Sequence, residues 1–154
     1  MSLPPGLRHV VAQTRLFTDA RNYIIVRLPL TQITEAALLV RQLHSPLVSL
    51  TWDKDELSLI LPAEAWESCR PGFEILNESP EYRLITFDLP LDLGLVGYLA
   101  LMAATVAEAG VSIYPVSAFS RDHFFVPAED FERAWEALRR CIRTCQTEEA
   151  ADSE

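Results

Sequence analysis

The sequence predicts an α+β fold made of two copies of one small module, and three observations carry that expectation. Residues 58–66 read SLILPAEAW and residues 123–131 read HFFVPAEDF, each an apolar run, then Pro-Ala-Glu, then a large aromatic. Upstream, IIVRLPLTQIT (24–34) resembles LITFDLPLDLG (84–94), both with Leu-Pro-Leu after a strand-like run. Around both pairs of phrases the predicted elements follow in the same order. The offset is 61 residues at the first phrase (Pro29 to Pro90) and 65 at the second (Pro62 to Pro127). One unit, drifting by a few inserted residues, explains both. A period near 60 is too long for a solenoid and suits two copies of a small α+β module.

In the first copy, Tyr23 to Leu28 is rich in β-branched and aromatic residues and ends at Pro29, which predicts a strand. Thr31 is placed to cap a helix whose apolar positions Ile33, Ala37, Val40 and Leu43 keep helical spacing. Ser45-Pro46 ends it. Strands over 48–52 and 57–61 follow, joined by the polar Asp53–Glu56. PAEAW starts a short helix with Pro62 near its first turn. Arg70-Pro71-Gly72 breaks the chain before a strand over 73–76.

The second copy repeats the order. A strand is expected at 83–87, then a helix over 94–109 closed by Gly110, then strands at 112–117 and 123–126. The last helix, 128–145, carries a stripe of Phe131, Trp135, Leu138 and Ile142. This is the ferredoxin-like βαββαβ plan, twice. The second copy lacks its final strand, and 10–17 is the unused candidate to complete it. The expected organisation is thus a first module at 18–79, a second at 80–145 with strand 10–17 added, and a disordered acidic tail at 146–154. The 94–109 helix is apolar almost all round, which predicts cover on both sides, by its own sheet and by a neighbouring module or a second subunit. The two modules are expected to pack side by side.

The 154 residues suffice for one ordinary domain or two very small ones, with 49% apolar and 23% charged residues. A net charge of -9 with scattered basic residues argues against nucleic acid and against anionic membranes. The opening MSLPPGLRHVVAQ has no apolar core of signal-peptide length, and the nearly uncharged stretch 93–107 is short for a membrane span. Three cysteines, Cys69, Cys141 and Cys145, make no disulfide framework. A cytoplasmic protein is expected.

The stretch LDLGLVGYLALMAATVAEAGVSIYPVSAFSRDHFFVPAEDFERAWEAL (91–138) resembles the ACT domain. It shows a strand, an acidic and glycine-bearing turn, an apolar helix, and then AGVSIYPVSAFSRDHFFV. The chain is most similar to small tandem-ACT proteins and to the arginine sensors of the CASTOR family. The resemblance implies a regulatory module that binds amino acids or other small molecules where two modules meet. It also implies a ligand at the glycine-bearing turn and at the end and turn of the next strand. Carried over by position, these places are Asp92, Leu93, Gly94, Leu95, Val96 and Gly97, and Ser117, Ala118, Phe119 and Asp122. Ala118 stands where a hydroxyl residue is common in the family, so arginine is not the implied ligand. The chain is half the length of a four-module sensor and would dimerise to build an equivalent array.

Physical chemistry gives those places work to do. A helix N-terminus offers free N–H groups and partial positive charge to a carboxylate. Gly94 and Gly97 clear the way to backbone. Asp92 and Asp122 are candidates for an ammonium or a cationic side chain, and Phe119 for an apolar wall. Each has a plainer role open to it: close packing for Gly97, capping for Asp92, turn formation for Asp122, core filling for Phe119.

No metal-spaced histidine pair, phosphate loop or nucleophile motif is present, and Cys141 and Cys145 lack further ligands nearby. No cofactor and no metal are expected. The expected function is a non-catalytic regulatory protein, acting as a homodimer that binds an amino acid and is read by a partner protein. The alternatives are a structural interaction module with no ligand and a small enzyme on the same scaffold.

Overall fold

The computed structural model describes residues 3–153. In chain order the elements are α1 (Pro5–Ala12), β1 (Leu16–Phe17), β2 (Tyr23–Leu28), α2 (Ile33–Gln42), β3 (Ser49–Trp52), β4 (Leu57–Pro62), α3 (Ala63–Cys69), β5 (Asn77–Glu78), β6 (Tyr82–Phe87), α4 (Tyr98–Glu108), β7 (Tyr114–Ser117), β8 (Asp122–Pro127) and α5 (Phe131–Ala151). The fold is α+β, and the chain divides into two compact units, 19–84 and 1–18 with 85–154.

The 19–84 unit has strand order β3-β4-β2, all antiparallel, with β5 pairing β2 through Val26↔Glu78 and Arg27↔Asn77. Its core is Val26, Leu28, Ala36, Leu57, Leu59, Leu61 and Trp66. The Trp66 indole N–H donates to Glu78 Oε1 at 2.5 Å, and the Arg70 guanidinium grips both Glu78 oxygens at 2.7 and 3.0 Å. These bonds hold the Glu78 carboxyl below its usual range, Arg70 first and Trp66 second.

The other unit has β6-β8-β7, with β1 also pairing β6. Alternation along β8 and β6 sends Phe124, Val126, Ile85 and Phe87 into one core with Tyr98, Met102 and Val106 of α4 and Phe131, Ala134, Leu138 and Ile142 of α5. Phe87 is the hub: its ring meets Phe124 and Tyr98 edge-on, at 4.9 and 5.8 Å between centroids. Gly110 closes α4 at φ 75, with Gly110 N–H donating to Ala107 O and Val111 N–H to Val106 O, a Schellman cap.

Five expectations change. Of the expected strand 10–17, residues 10–12 belong to α1, because Pro5 suits a first helical turn and Leu7 and Val11, four apart, are the buried pair. Only Leu16–Phe17 is strand, paired with Phe87 and Thr86. The first-copy strand falls on Asn77–Glu78 instead of 73–76, because Phe73 and Ile75 pack into the core cluster. Thr31 caps nothing: a 3-10 turn, Leu30–Gln32, leads into α2, whose first turn has no side-chain cap.

The second-copy helix begins at Tyr98, not Gly94, because Gly97 sits at φ 92, where a helix cannot run. Within the chain one stripe of it, Tyr98, Met102 and Val106, is buried, and Leu99 is 38% exposed. The tail is not disordered through 151: α5 continues because α1 meets it. Arg8 pairs with Glu149 at 3.3 Å and with Asp152, His9 Nδ1 lies 2.9 Å from Glu149 Oε2, and Gln146 donates to Ala12 O at 3.0 Å.

Candidate functional site

The two units keep step except in one place. The starts of β3 and β7, of β4 and β8, and the residues after Pro62 and Pro127 are each 65 apart (Ser49/Tyr114, Leu57/Asp122, Ala63/Ala128). The Leu-Pro-Leu phrases are 61 apart. From Leu30 to the start of α2 is three residues; from Leu91 to the start of α4 it is seven. The four residues added after the Leu-Pro-Leu phrase therefore all lie before α4. β6 ends two residues ahead of its phrase where β2 ends within it, so the β6–α4 turn, the glycine-bearing turn of the predicted site, is six residues longer than the β2–α2 turn.

That turn is held from inside. Asp92 Oδ1 accepts the Gly94 N–H at 2.7 Å, and Asp92 O accepts the Leu95 N–H at 3.0 Å. A Cβ on Gly94 would lie 3.1 Å from Asp92 Oδ1. Gly97 reverses the chain at φ 92, a conformation only glycine adopts without strain, and a Cβ there would also lie 3.3 Å from Leu7 Cδ2. It is the N-cap residue of α4, and no side chain caps that helix. Asp92 therefore does not take the capping role open to it; its side chain braces the turn instead.

Opposite stands the β7–β8 turn. Ala118 N–H donates to Arg121 O at 2.9 Å, and Ser117 Oγ donates to Asp122 Oδ1 at 2.6 Å. Leu91 N–H donates to Ser120 O at 2.7 Å, stitching the two turns together. Arg121 Nε donates to Asp88 Oδ1 at 3.0 Å. Between the turns lies a pocket of about 180 Å³. Seven of the ten predicted residues line it: Asp92, Leu93, Leu95, Ser117, Ala118, Phe119 and Asp122. Gly94, Val96 and Gly97 do not; they shape the turn behind it.

Sequence reasoning missed Leu91, Tyr98 and Leu99 as lining residues, and had Ser120 and Arg121 only as part of the 117–122 stretch. Arg121 had a signal, since it sits inside the turn already singled out. Tyr98 had a weaker one, as the polar aromatic directly after Gly97. Its side chain is almost fully buried, with its hydroxyl 2.8 Å from Thr14 Oγ1, and burial pushes the phenol above its ordinary value. The pocket thus holds two carboxylates, one guanidinium, an apolar wall and the uncapped start of α4. Phe119, at 79% exposure, is wall or surface and not core.

A larger groove of about 570 Å³ lies between α4 and α5. It contains none of the predicted residues, and its two threonine hydroxyls, Thr105 and Thr144, donate to Leu101 O and Arg140 O of their own helices. The groove also carries Glu108, Arg140 and Glu148, so polar groups alone do not separate the two; the smaller pocket is the candidate because it gathers the residues picked out by family resemblance. Cys141 and Cys145 line that groove, and burial pushes the Cys145 thiol up to about 11. Among the described residues no cluster of three His, Cys, Asp or Glu side chains could hold a metal, and no helix is long and apolar enough to cross a membrane.

Residues 78–140 match the family model of the ACT domain, so an ACT domain lies in the part of the chain that builds this pocket. No curated protein matches the sequence. Among solved structures, a Vibrio cholerae protein of unknown function, described as a possible transport protein, is 24% identical, with a TM-score of 0.69 over 88% of this chain and 95% of its own. An Agrobacterium tumefaciens protein is 22% identical, with a TM-score of 0.66 over 84% and 89%. The regulatory subunit of aspartate kinase from Thermus flavus is 17% identical, with a TM-score of 0.58 over 82% and 95%. At these identities the likeness is one of fold.

Proposed function

We propose that this chain is a non-catalytic regulatory protein of two ACT-like modules that binds an amino acid in the pocket between the β6–α4 and β7–β8 turns. One observation carries the reading: two stretches about 20 residues apart, picked out by family resemblance, line one pocket. The volume is below the roughly 300–1,000 Å³ of drug-sized sites and suits a compact metabolite.

The polar groups divide as an amino acid needs. The uncapped start of α4 and the Arg121 guanidinium attract a carboxylate. Asp92 and Asp122 each spend one oxygen within their own turn and keep a second for an ammonium. Leu93 and Phe119 wall the side chain. The ACT domain and the shared fold of an aspartate kinase regulatory subunit support a regulatory role. In this reading the protein is a cytoplasmic homodimer, and the ligand works by linkage: it favours one arrangement of modules, which a partner protein reads.

The test is a thermal-shift screen against the twenty amino acids, with Asp122→Ala in parallel. A ligand confined to the folded state adds roughly 2.7 kcal/mol at a hundredfold excess over Kd. A melting-point rise with one or two amino acids, absent in Asp122→Ala, is the expected outcome.

A second reading has its own observation. Leu93, Val96 and Phe119 are 74%, 86% and 79% exposed, a concentration of bare apolar side chains beside the pocket. A screen flat across all twenty, with a dimer that Val96→Asp dissociates, would replace the sensor with an interaction module.

A further inference from the structure

The N-terminal segment touches the pocket from behind at three points, and none of them was visible in the sequence. Leu7 of α1 covers Gly97: its Cδ2 is 3.3 Å from where a Cβ would stand. Thr14 holds Tyr98. The Thr14 hydroxyl spends its only proton on Val10 O at 3.1 Å, so at 2.8 Å it accepts the proton of the Tyr98 hydroxyl. Arg15 O accepts the Asp88 N–H at 2.7 Å, and Asp88 in turn holds Arg121. Gly97 sets the turn, Tyr98 and Arg121 line the pocket, and all three are placed by residues 7–15.

The same segment is fastened at its outer side by charge. Arg8 reaches Glu149, Glu148 at 3.9 Å and Asp152; His9 reaches Glu149; Gln146 donates to Ala12 O. Glu149 has its carboxyl held below the usual range by His9 and Arg8, in spite of partial desolvation. Leu7 and Val11 anchor the inner side in the core.

We propose that residues 5–17 form a positioning strap for this pocket: α1, clamped onto the end of α5 through Arg8 and His9, sets the geometry of the 92–98 turn, so clamp and ligand site are coupled. The strap makes no contact with a ligand itself. Arg8 and Thr14 are positioning residues, acting through Leu7, Gly97 and Tyr98. The consequence for affinity rests on the pocket being a ligand site; the coupling itself does not.

Amide hydrogen exchange on the full-length chain, without ligand, tests the coupling. The reporters are the Leu95 and Leu101 amides, bonded to Asp92 O and Gly97 O. Arg8→Ala and Thr14→Val are expected to speed both by about tenfold, while the β8 amides keep their rates and Thr14→Ser, which restores the hydroxyl, exchanges as the parent does. Unchanged rates at Leu95 and Leu101 overturn the proposal. So does an equal rise at β8, which would mean general destabilisation. Any amino acid that the thermal screen finds is expected to bind Arg8→Ala about tenfold more weakly, and equal binding overturns the coupling. A screen with no binder sinks the sensor reading alone, and the exchange result still decides the strap.

Discussion

The turn from β2 to α2 and the turn from β6 to α4 hold the same place in the two units and have opposite characters. The first is three residues of 3-10 helix that run straight into α2, with the Gln32 side chain accepting the Glu74 N–H at 2.9 Å. That side chain is spent on the backbone of a distant stretch of the same unit. The second is six residues longer, contains Gly94 and Gly97, leaves Asp92, Leu93 and Val96 exposed, and borders a pocket. A short turn in a βα connection has too few residues to enclose anything. An inserted, glycine-bearing turn makes room, then needs outside support, and here α1 supplies it. On the proposed reading, the difference assigns binding to the unit with the longer turn and packing to the other.

The largest effects should separate the two cores. Phe87 and Val26 stand 61 residues apart, in register with the Leu-Pro-Leu phrases, and both are fully buried. Phe87→Ala should cost about 3–5 kcal/mol and Val26→Ala about 2 kcal/mol, read from urea denaturation by tryptophan fluorescence. Equal losses would mean that the aromatic hub around Phe87 contributes nothing special to its unit.

A smaller effect should separate the turns. Gly97→Ala forces a left-handed backbone on a Cβ and presses it on Leu7, at about 1–2 kcal/mol. Gln32→Gly, in the first unit, breaks one bond to the Glu74 amide, at about 1 kcal/mol. The sharper distinction is in binding: Gly97→Ala should abolish any amino-acid-dependent melting shift and Gln32→Gly should leave it intact. A shift that survives in Gly97→Ala would show that the inserted turn is not the binding element.

The smallest effect is in acid. His123 is buried in the 1–18/85–154 unit with Nδ1 2.9 Å from Thr86 Oγ1. Desolvation lowers its pKa from the ordinary 6.5, against the pull of Asp122. The unfolded chain therefore binds the proton first, so stability is full above about pH 6.5 and falls as pH drops toward the folded value. Glu78 in the other unit is lowered by Arg70 and Trp66, so its contribution holds above about pH 4.5 and falls only below it. His123→Gln should flatten denaturation midpoints between pH 6.5 and 5 and leave the later decline; Glu78→Gln should flatten only the later one. An unchanged slope near pH 6 in His123→Gln would remove His123 as the source of that sensitivity.

Much of this was legible locally. The two Pro-Ala-Glu phrases predicted strand-to-helix boundaries, and Pro62 and Pro127 adopt nearly the same backbone angles there, φ -54 and -50, ψ 136 and 135. Gly110 as a helix stop and the buried stripe of α5 followed from local rules, since proline, glycine and a 3.6-residue period act within a few residues. The position of the insertion was in the sequence too, as the drift from 61 to 65, but only known element starts could locate it.

The sequence by itself determined the α+β element order and the helix boundaries marked by proline and glycine, because these depend on neighbours along the chain. Tertiary structure decided the rest. Whether residues 5–12 are helix or strand depended on Leu7 and Val11 finding a core. Whether the acidic tail stayed coil depended on Arg8 and His9 arriving at Glu149, some 140 residues away. Whether Tyr98 is a pocket floor depended on Thr14, 84 residues away. Such pairings release their energy only once the chain has closed the loop between them, so no local pattern can announce them.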